Sequence, residues 1–163
     1  MPGLNHRRLN ASAVAFACYT AVMLLVERGM RKTGGPGIIP FELAGSAARA
    51  EDIMTSWGAD GQRSARLSLW LDFGYMLSYG TLAGLLVDGT RRHRGDPAAL
   101  QLLVIGAVAG DAVEGISLLK VLSGTDVGTN ARTARLAAVI KFALLAVALG
   151  YVITGRIGLR AQT

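Results

Sequence analysis

The chain has 163 residues, of which 52% are hydrophobic and only 17% charged, against roughly 25% charge in an ordinary soluble domain. Its net charge of +6 does not imply nucleic acid. The basic residues gather instead at the ends of apolar stretches, as Arg7 and Arg8, Arg91-Arg92-His93-Arg94, and Arg156 with Arg160, which is the pattern of membrane flanks beside anionic headgroups.

Four apolar stretches read as spans, at about residues 9–28, 67–87, 98–122 and 134–154. Each is near the roughly 20 residues needed to cross a hydrocarbon core about 30 Å thick. Their many Gly and Ala residues allow close helix approach in lipid. A soluble all-α bundle is the alternative, but spans three and four lack the polar faces it needs. The expected fold is therefore an all-α integral membrane protein: one domain over 1–163, a four-transmembrane-helix bundle with a short amphipathic helix between spans one and two.

The first stretch has a basic start (His6, Arg7, Arg8) like a signal peptide. No small-x-small cleavage site follows it, and Glu27-Arg28-Gly29-Met30-Arg31-Lys32 reads as a stop-transfer flank. It is kept as a membrane helix. Cys18 is the only cysteine, so an intrachain disulfide is excluded and redox compartment is left unread.

Thr33-Gly34-Gly35-Pro36-Gly37 breaks that helix, and Pro40 suits the first turn of a new one. Phe41, Leu43, Ala44, Ala47, Ile53 and Trp57 then make a partly amphipathic helix over about 41–57. Trp57-Gly58 is expected to end it at the membrane surface, where indole rings prefer to sit. A connection this long is more often ordered than idle, which suggests a lid carrying Glu42 and Trp57.

The most informative residues are ionisable groups inside the remaining spans: Asp72 in the second, Asp111 and Glu114 in the third, Lys141 in the fourth. Each costs several kcal/mol in hydrocarbon (roughly 2.5–3.5 on insertion scales) unless it faces the protein interior and finds a partner. Helix rise places them roughly 9–16 Å inside one membrane boundary, in a shared layer. Asp72, Tyr75 and Tyr79 stand at i, i+3 and i+7, on one face of span two. Asp111 and Glu114 stand at i, i+3 and project to the same side of span three. Two carboxylates so close do not both ionise easily, and a proton, a metal ion or Lys141 would relieve the repulsion.

Other chemistries lack their residues. His6 and His93 are the only histidines and lie outside the spans, which disfavours haem, zinc and Ser-His-Asp catalysis. No metal and no cofactor is expected, and no phosphate-binding Gly-rich loop follows a strand. The segment Asp60-Gly61-Gln62-Arg63-Ser64-Ala65-Arg66 has pieces of the CDP-alcohol phosphotransferase signature. It fails on the spacing from Gly61 to Ala65, on Trp57 where an Asp belongs, and on the missing later Gly-x-x-x-Asp-x-x-x-Asp.

A wider pattern remains: Phe41-Glu42-Leu43-Ala44, Trp57, Asp72-x-x-Tyr75, Asp111-x-x-Glu114 and Val139-Ile140-Lys141-Phe142. Over most of its length the chain resembles a group of small four-span bacterial membrane proteins of uncharacterised function. The resemblance implies the four-helix architecture and no activity.

The leading expectation is a binding or transport module in a bacterial cytoplasmic membrane. A small amphiphile, lipid or cation would meet Asp72, Asp111, Glu114 and Lys141, with Tyr75, Tyr79, Glu42 and Trp57 contributing, and protonation could couple binding to pH. The rivals are a cofactor-independent enzyme using paired carboxylates as acid and base on a lipid or isoprenoid, and a structural subunit whose polar cluster fastens helices. Four spans are a thin scaffold for alternating access, so a transporter implies a homo-oligomer. The positive-inside rule favours cytoplasmic termini, although Arg28, Arg31, Lys32, Arg63, Arg66, Arg132 and Arg135 flank the opposite side.

Overall fold

The computed structural model describes the backbone of residues 2–160 and the side chains of residues 6–155; Arg156 and Arg160, named above as a basic flank, lie outside those side chains. Every described element is helical: α1 (Pro2–Arg31), α2 (Ile38–Glu42), α3 (Ala47–Arg94), α4 (Gln101–Leu122) and α5 (Val127–Arg160), with a 3-10 turn at Ala98–Leu100. Three segments are long and apolar enough to cross a membrane, His6–Arg31, Ala98–Leu122 and Val127–Gly155. The 67–87 stretch is not among them. It belongs to the 48-residue α3, and Asp72 with its Ser, Tyr, Gly and Thr neighbours dilutes its apolar content.

The connection between α1 and α3 differs from the single helix expected over 41–57. Gly45 takes a left-handed φ of 69°, and Ser46, extended, caps α3 by accepting from the Arg49 N–H at 3.3 Å. A left-handed glycine followed by a serine N-cap separates two helices, so α2 and α3 are distinct. Gly58 does interrupt the helix, but only as a kink of one residue, with φ 60° and ψ −167°. Across the kink the Gln62 side chain reaches back, its Nε2 donating to the Met54 carbonyl at 2.9 Å.

Trp57 is buried inside the protein. It is 1% exposed, packs on Phe41 with ring centroids 4.9 Å apart, and donates its indole N–H to the Pro36 carbonyl at 2.6 Å. With Met30, Ile53, Leu69, Leu118 and Val121 it forms a core at the α2 end of the bundle. Arg66 Nη2 closes the same end by donating to the Leu122 carbonyl at the α4 C-terminus, 3.1 Å away. A second, smaller core of Val87, Val104, Ala148 and Val152 holds the opposite end.

Helices α4 and α5 form a closely packed hairpin on which α3 lies; α1 packs along α3, and its contact with α5 is at most marginal. The wall between α1 and α5 is therefore incomplete.

The Gly58 geometry is essentially glycine-only, and a Cβ there would meet no atom within 4 Å. Gly58→Ala is expected to cost about 1–3 kcal/mol through the backbone alone. Gly150→Ala, helical and equally uncrowded, is expected to be neutral or stabilising by up to about 1 kcal/mol. Thermal unfolding of the two variants in lipid nanodiscs measures the contrast.

Candidate functional site

Between the two cores lies a cavity of about 490 Å³, within the usual range for a small-molecule site. The sequence determines which face each helix gives it. From α1 come Phe16, Thr20, Met23 and Glu27, at helical spacing. Helix α3 gives Ser68, Asp72, Tyr75 and Tyr79, then Leu82 and Leu86; α5 gives Lys141, then Leu145, Ala148 and Val152. Asp111 comes from α4, while Ile38, Ile39 and Glu42 of α2 cover one end.

The cavity is polarised along its length. Glu27, Glu42, Asp72, Asp111 and Lys141 surround the α2 end, Thr20, Tyr75 and Tyr79 follow, and beyond Tyr79 the α3 and α5 walls are wholly apolar. From Lys141 to Val152 the slot runs about 16 Å by helix rise. Two lining residues, Leu24 and Leu149, are 55% and 58% exposed; they mark the gap between α1 and α5.

The charged end is built around Lys141, buried at 6% exposure. Its Nζ donates to Asp111 Oδ1 at 2.8 Å and lies 2.7 Å from Glu114 Oε2 and 4.0 Å from Glu42 Oε2. The Glu114 contact is ionic and lacks hydrogen-bond geometry, leaving that oxygen without a hydrogen-bond partner. Asp111 Oδ2 accepts from the Tyr79 hydroxyl at 2.6 Å. The Asp72 carboxyl lines the same space as Asp111. Tyr75 accepts from Thr20 at 3.3 Å, stacks on Phe16 and meets Tyr79 edge-on with centroids 5.8 Å apart.

The structure therefore brings together Asp72, Tyr75, Tyr79, Asp111, Lys141 and Glu42 around one space. Glu114 is beside them but does not line the cavity; it anchors Lys141 from behind, between α4 and α5. Trp57 does not line the cavity either. Glu27, read from sequence as part of a stop-transfer flank, is a lining residue, held by Arg31 Nη2 at 2.8 Å. The sequence held a signal for it, since Phe16, Thr20, Met23 and Glu27 stand on one helical face. Among the described residues no group of three or more His, Cys, Asp and Glu is placed to hold a metal ion.

Burial on α2 pushes the Glu42 carboxyl above its ordinary value, with Lys141 pulling the other way. Protonated Glu42 is the form that burial favours, so its contribution to stability is complete below the ordinary value of 4.5 and is lost as pH rises through the raised folded-state value. Glu42→Gln is accordingly expected to be more stable than the parent at alkaline pH, with the difference vanishing as pH falls below 4.5. Unfolding midpoints across a pH series check the sign.

Removing the ammonium leaves Asp111 and Glu114 buried without a counter-charge. Lys141→Met is expected to destabilise the bundle by about 3–5 kcal/mol, and adding Glu114→Gln to recover part of that loss. A double-mutant cycle on unfolding midpoints in nanodiscs measures the coupling.

No protein-family model, curated protein or solved structure matches the chain, and the functional reading rests on this geometry.

Proposed function

We propose that the protein is a membrane-embedded binding or transport module for a small amphiphile, whose polar end meets the carboxylate–lysine cluster and whose tail lies in the apolar half of the cavity. The observation that carries this reading is the cavity's polarity. Its polar lining gathers towards the α2 end, and the walls past Tyr79 carry only hydrocarbon. A metal or a small hydrophilic solute has no use for the distal half, whereas an amphiphile matches both ends.

In this reading the 67–87 part of α3 is the fourth span. Leu67, Trp70 and Leu77 on it are exposed, which suits lipid contact, and it packs against α1, α4 and α5. We place the protein in a bacterial cytoplasmic membrane with both termini cytoplasmic. The Arg91–Arg94 cluster then faces anionic headgroups, and the charged end of the cavity lies nearer the opposite surface. A transporter would work as a homo-oligomer.

A second reading keeps the same space as an acid–base active site on a lipid or isoprenoid. Asp72 and Asp111, which line the same space, and the Tyr79 hydroxyl on Asp111 favour it, because a proton donor and an acceptor meet at the inner end of the slot. The fastening role expected of the cluster falls to Lys141 and Glu114, which join α5 to α4.

Leu145→Trp would fill the apolar half of the slot. In nanodiscs, thermal stabilisation by a single-chain amphiphile is expected to need at least about tenfold more ligand in Leu145→Trp, a shift of about 1.4 kcal/mol in binding. Leu77→Trp, on the exposed face, is expected to respond like the parent. Equal responses in all three proteins would contradict binding in the slot. Product formed from a candidate lipid, and lost in Asp111→Asn, would favour the enzyme.

A further inference from the structure

Resting on the amphiphile reading, we propose that the ligand is a linear amphiphile with a positively charged head, an alkylamine or alkylammonium, that enters sideways from the bilayer between α1 and α5.

The sign of the head follows from which groups at the polar end remain uncommitted. Glu42, Asp72 and Asp111 line the cavity there with Lys141 as the cation among them, while Glu27, which also lines it, is already paired with Arg31. An ammonium has three protons to donate, and Lys141 already faces Asp111, Glu114 and, at 4.0 Å, Glu42. Two carboxylates within 2.8 Å and a third at 4.0 Å surround it, so a phosphate or carboxylate head would reach it only against those like charges. Asp72 is different: it lines the cavity, and among the described residues no N–H or O–H group of another side chain donates to it, since the Lys141 ammonium and the Tyr79 hydroxyl are both taken by Asp111. It is an acceptor facing the cavity without a cationic partner. An anionic head would enter against an excess of carboxylates, where like charges repel across a low dielectric. A cationic head adds the second positive charge that the cluster lacks.

The aromatic residues point the same way. The rings of Phe16, Tyr75 and Tyr79 stand at the junction of the polar and apolar halves, where a cation next to Asp72 would find ring faces as well as a carboxylate. Phe142 already holds the Lys141 ammonium 4.8 Å from its ring centroid.

The shape follows from the walls. The distal slot is bordered by α3 and α5, with small Ala83 and Ala148 on its sides, and extends about 16 Å from Lys141 by helix rise. That suits one extended chain rather than a fused-ring body. Leu24 on α1 and Leu149 on α5 are lining residues that are also exposed. Because α1 hardly touches α5, a ligand already dissolved in the bilayer reaches the slot without crossing either core.

The test uses the full chain in neutral-lipid nanodiscs and three photoreactive probes that share one alkyl diazirine tail: an alkylamine, the matching alcohol and the matching alkyl phosphate. Labelled residues are located by peptide mass spectrometry. The amine is expected to label α1 and α5 around Leu24, Leu145 and Leu149 at least tenfold more than the phosphate does. Asp72→Asn should remove most of that labelling, and Asp72→Glu, which keeps the charge, should retain it. If the alcohol or the phosphate labels the slot as well as the amine does, or if Asp72→Asn labels like the parent, the cationic class is overturned while an amphiphile cavity stands. If none of the three probes labels the slot, the amphiphile reading falls with it.

Discussion

A lysine ammonium buried within a helical bundle has to be met by carboxylates, and this requirement organises the whole chain. A charge at membrane depth costs roughly 2.5–3.5 kcal/mol even on the more lenient scales, so Lys141 is stable only where other elements converge on it. Glu114 and Asp111 from α4 do so within 2.8 Å, and Glu42 from α2 lies at the edge of the cluster, 4.0 Å away. The α4–α5 hairpin is thereby locked in register, and α2 is drawn over its end. Trp57, clasped to the Pro36 carbonyl, then fixes the loop that carries α2.

The same requirement leaves α1 free. It has no member in the cluster around Lys141, and Glu27 answers to its own neighbour Arg31. Packed along α3 and hardly at all on α5, α1 forms one wall of a hollow instead of filling it. The cores at the two ends, around Trp57 and around Val87, are separate, and the hollow lies between them. Polar groups oversupplied at one end and hydrocarbon walls at the other follow from where the carboxylates had to be.

Much of this was legible in the sequence. Hydropathy gave spans at about 9–28, 98–122 and 134–154, which fall within His6–Arg31, Ala98–Leu122 and Val127–Gly155, and helical spacing placed Asp72, Tyr75 and Tyr79 on one face, where they line a common space. The pairing of Lys141 with the α4 acids also follows from depth. Finer placements depended on competing local effects. Positions i and i+3 are about 60° apart around a helix, enough to aim Asp111 into the cavity and Glu114 behind it. The burial of Trp57 rests on the Pro36 carbonyl and on Phe41, partners that its immediate neighbours in the chain do not announce. Gly45-Ser46 carried the signal separating α2 from α3, but the apolar periodicity across it was stronger. Glu27 was hidden because an acid among basic flanking residues looks like solvent-facing charge, and only the position of α2 turns that face inward.

The most direct test is the map of the protein in lipid nanodiscs at a resolution that shows single acyl chains. An elongated non-protein density is expected between α1 and α5, with its polar end within hydrogen-bonding distance of Asp72 and its other end reaching Val152. A map in which α1 packs directly on α5, leaving no continuous space between those two residues, would contradict an amphiphile site.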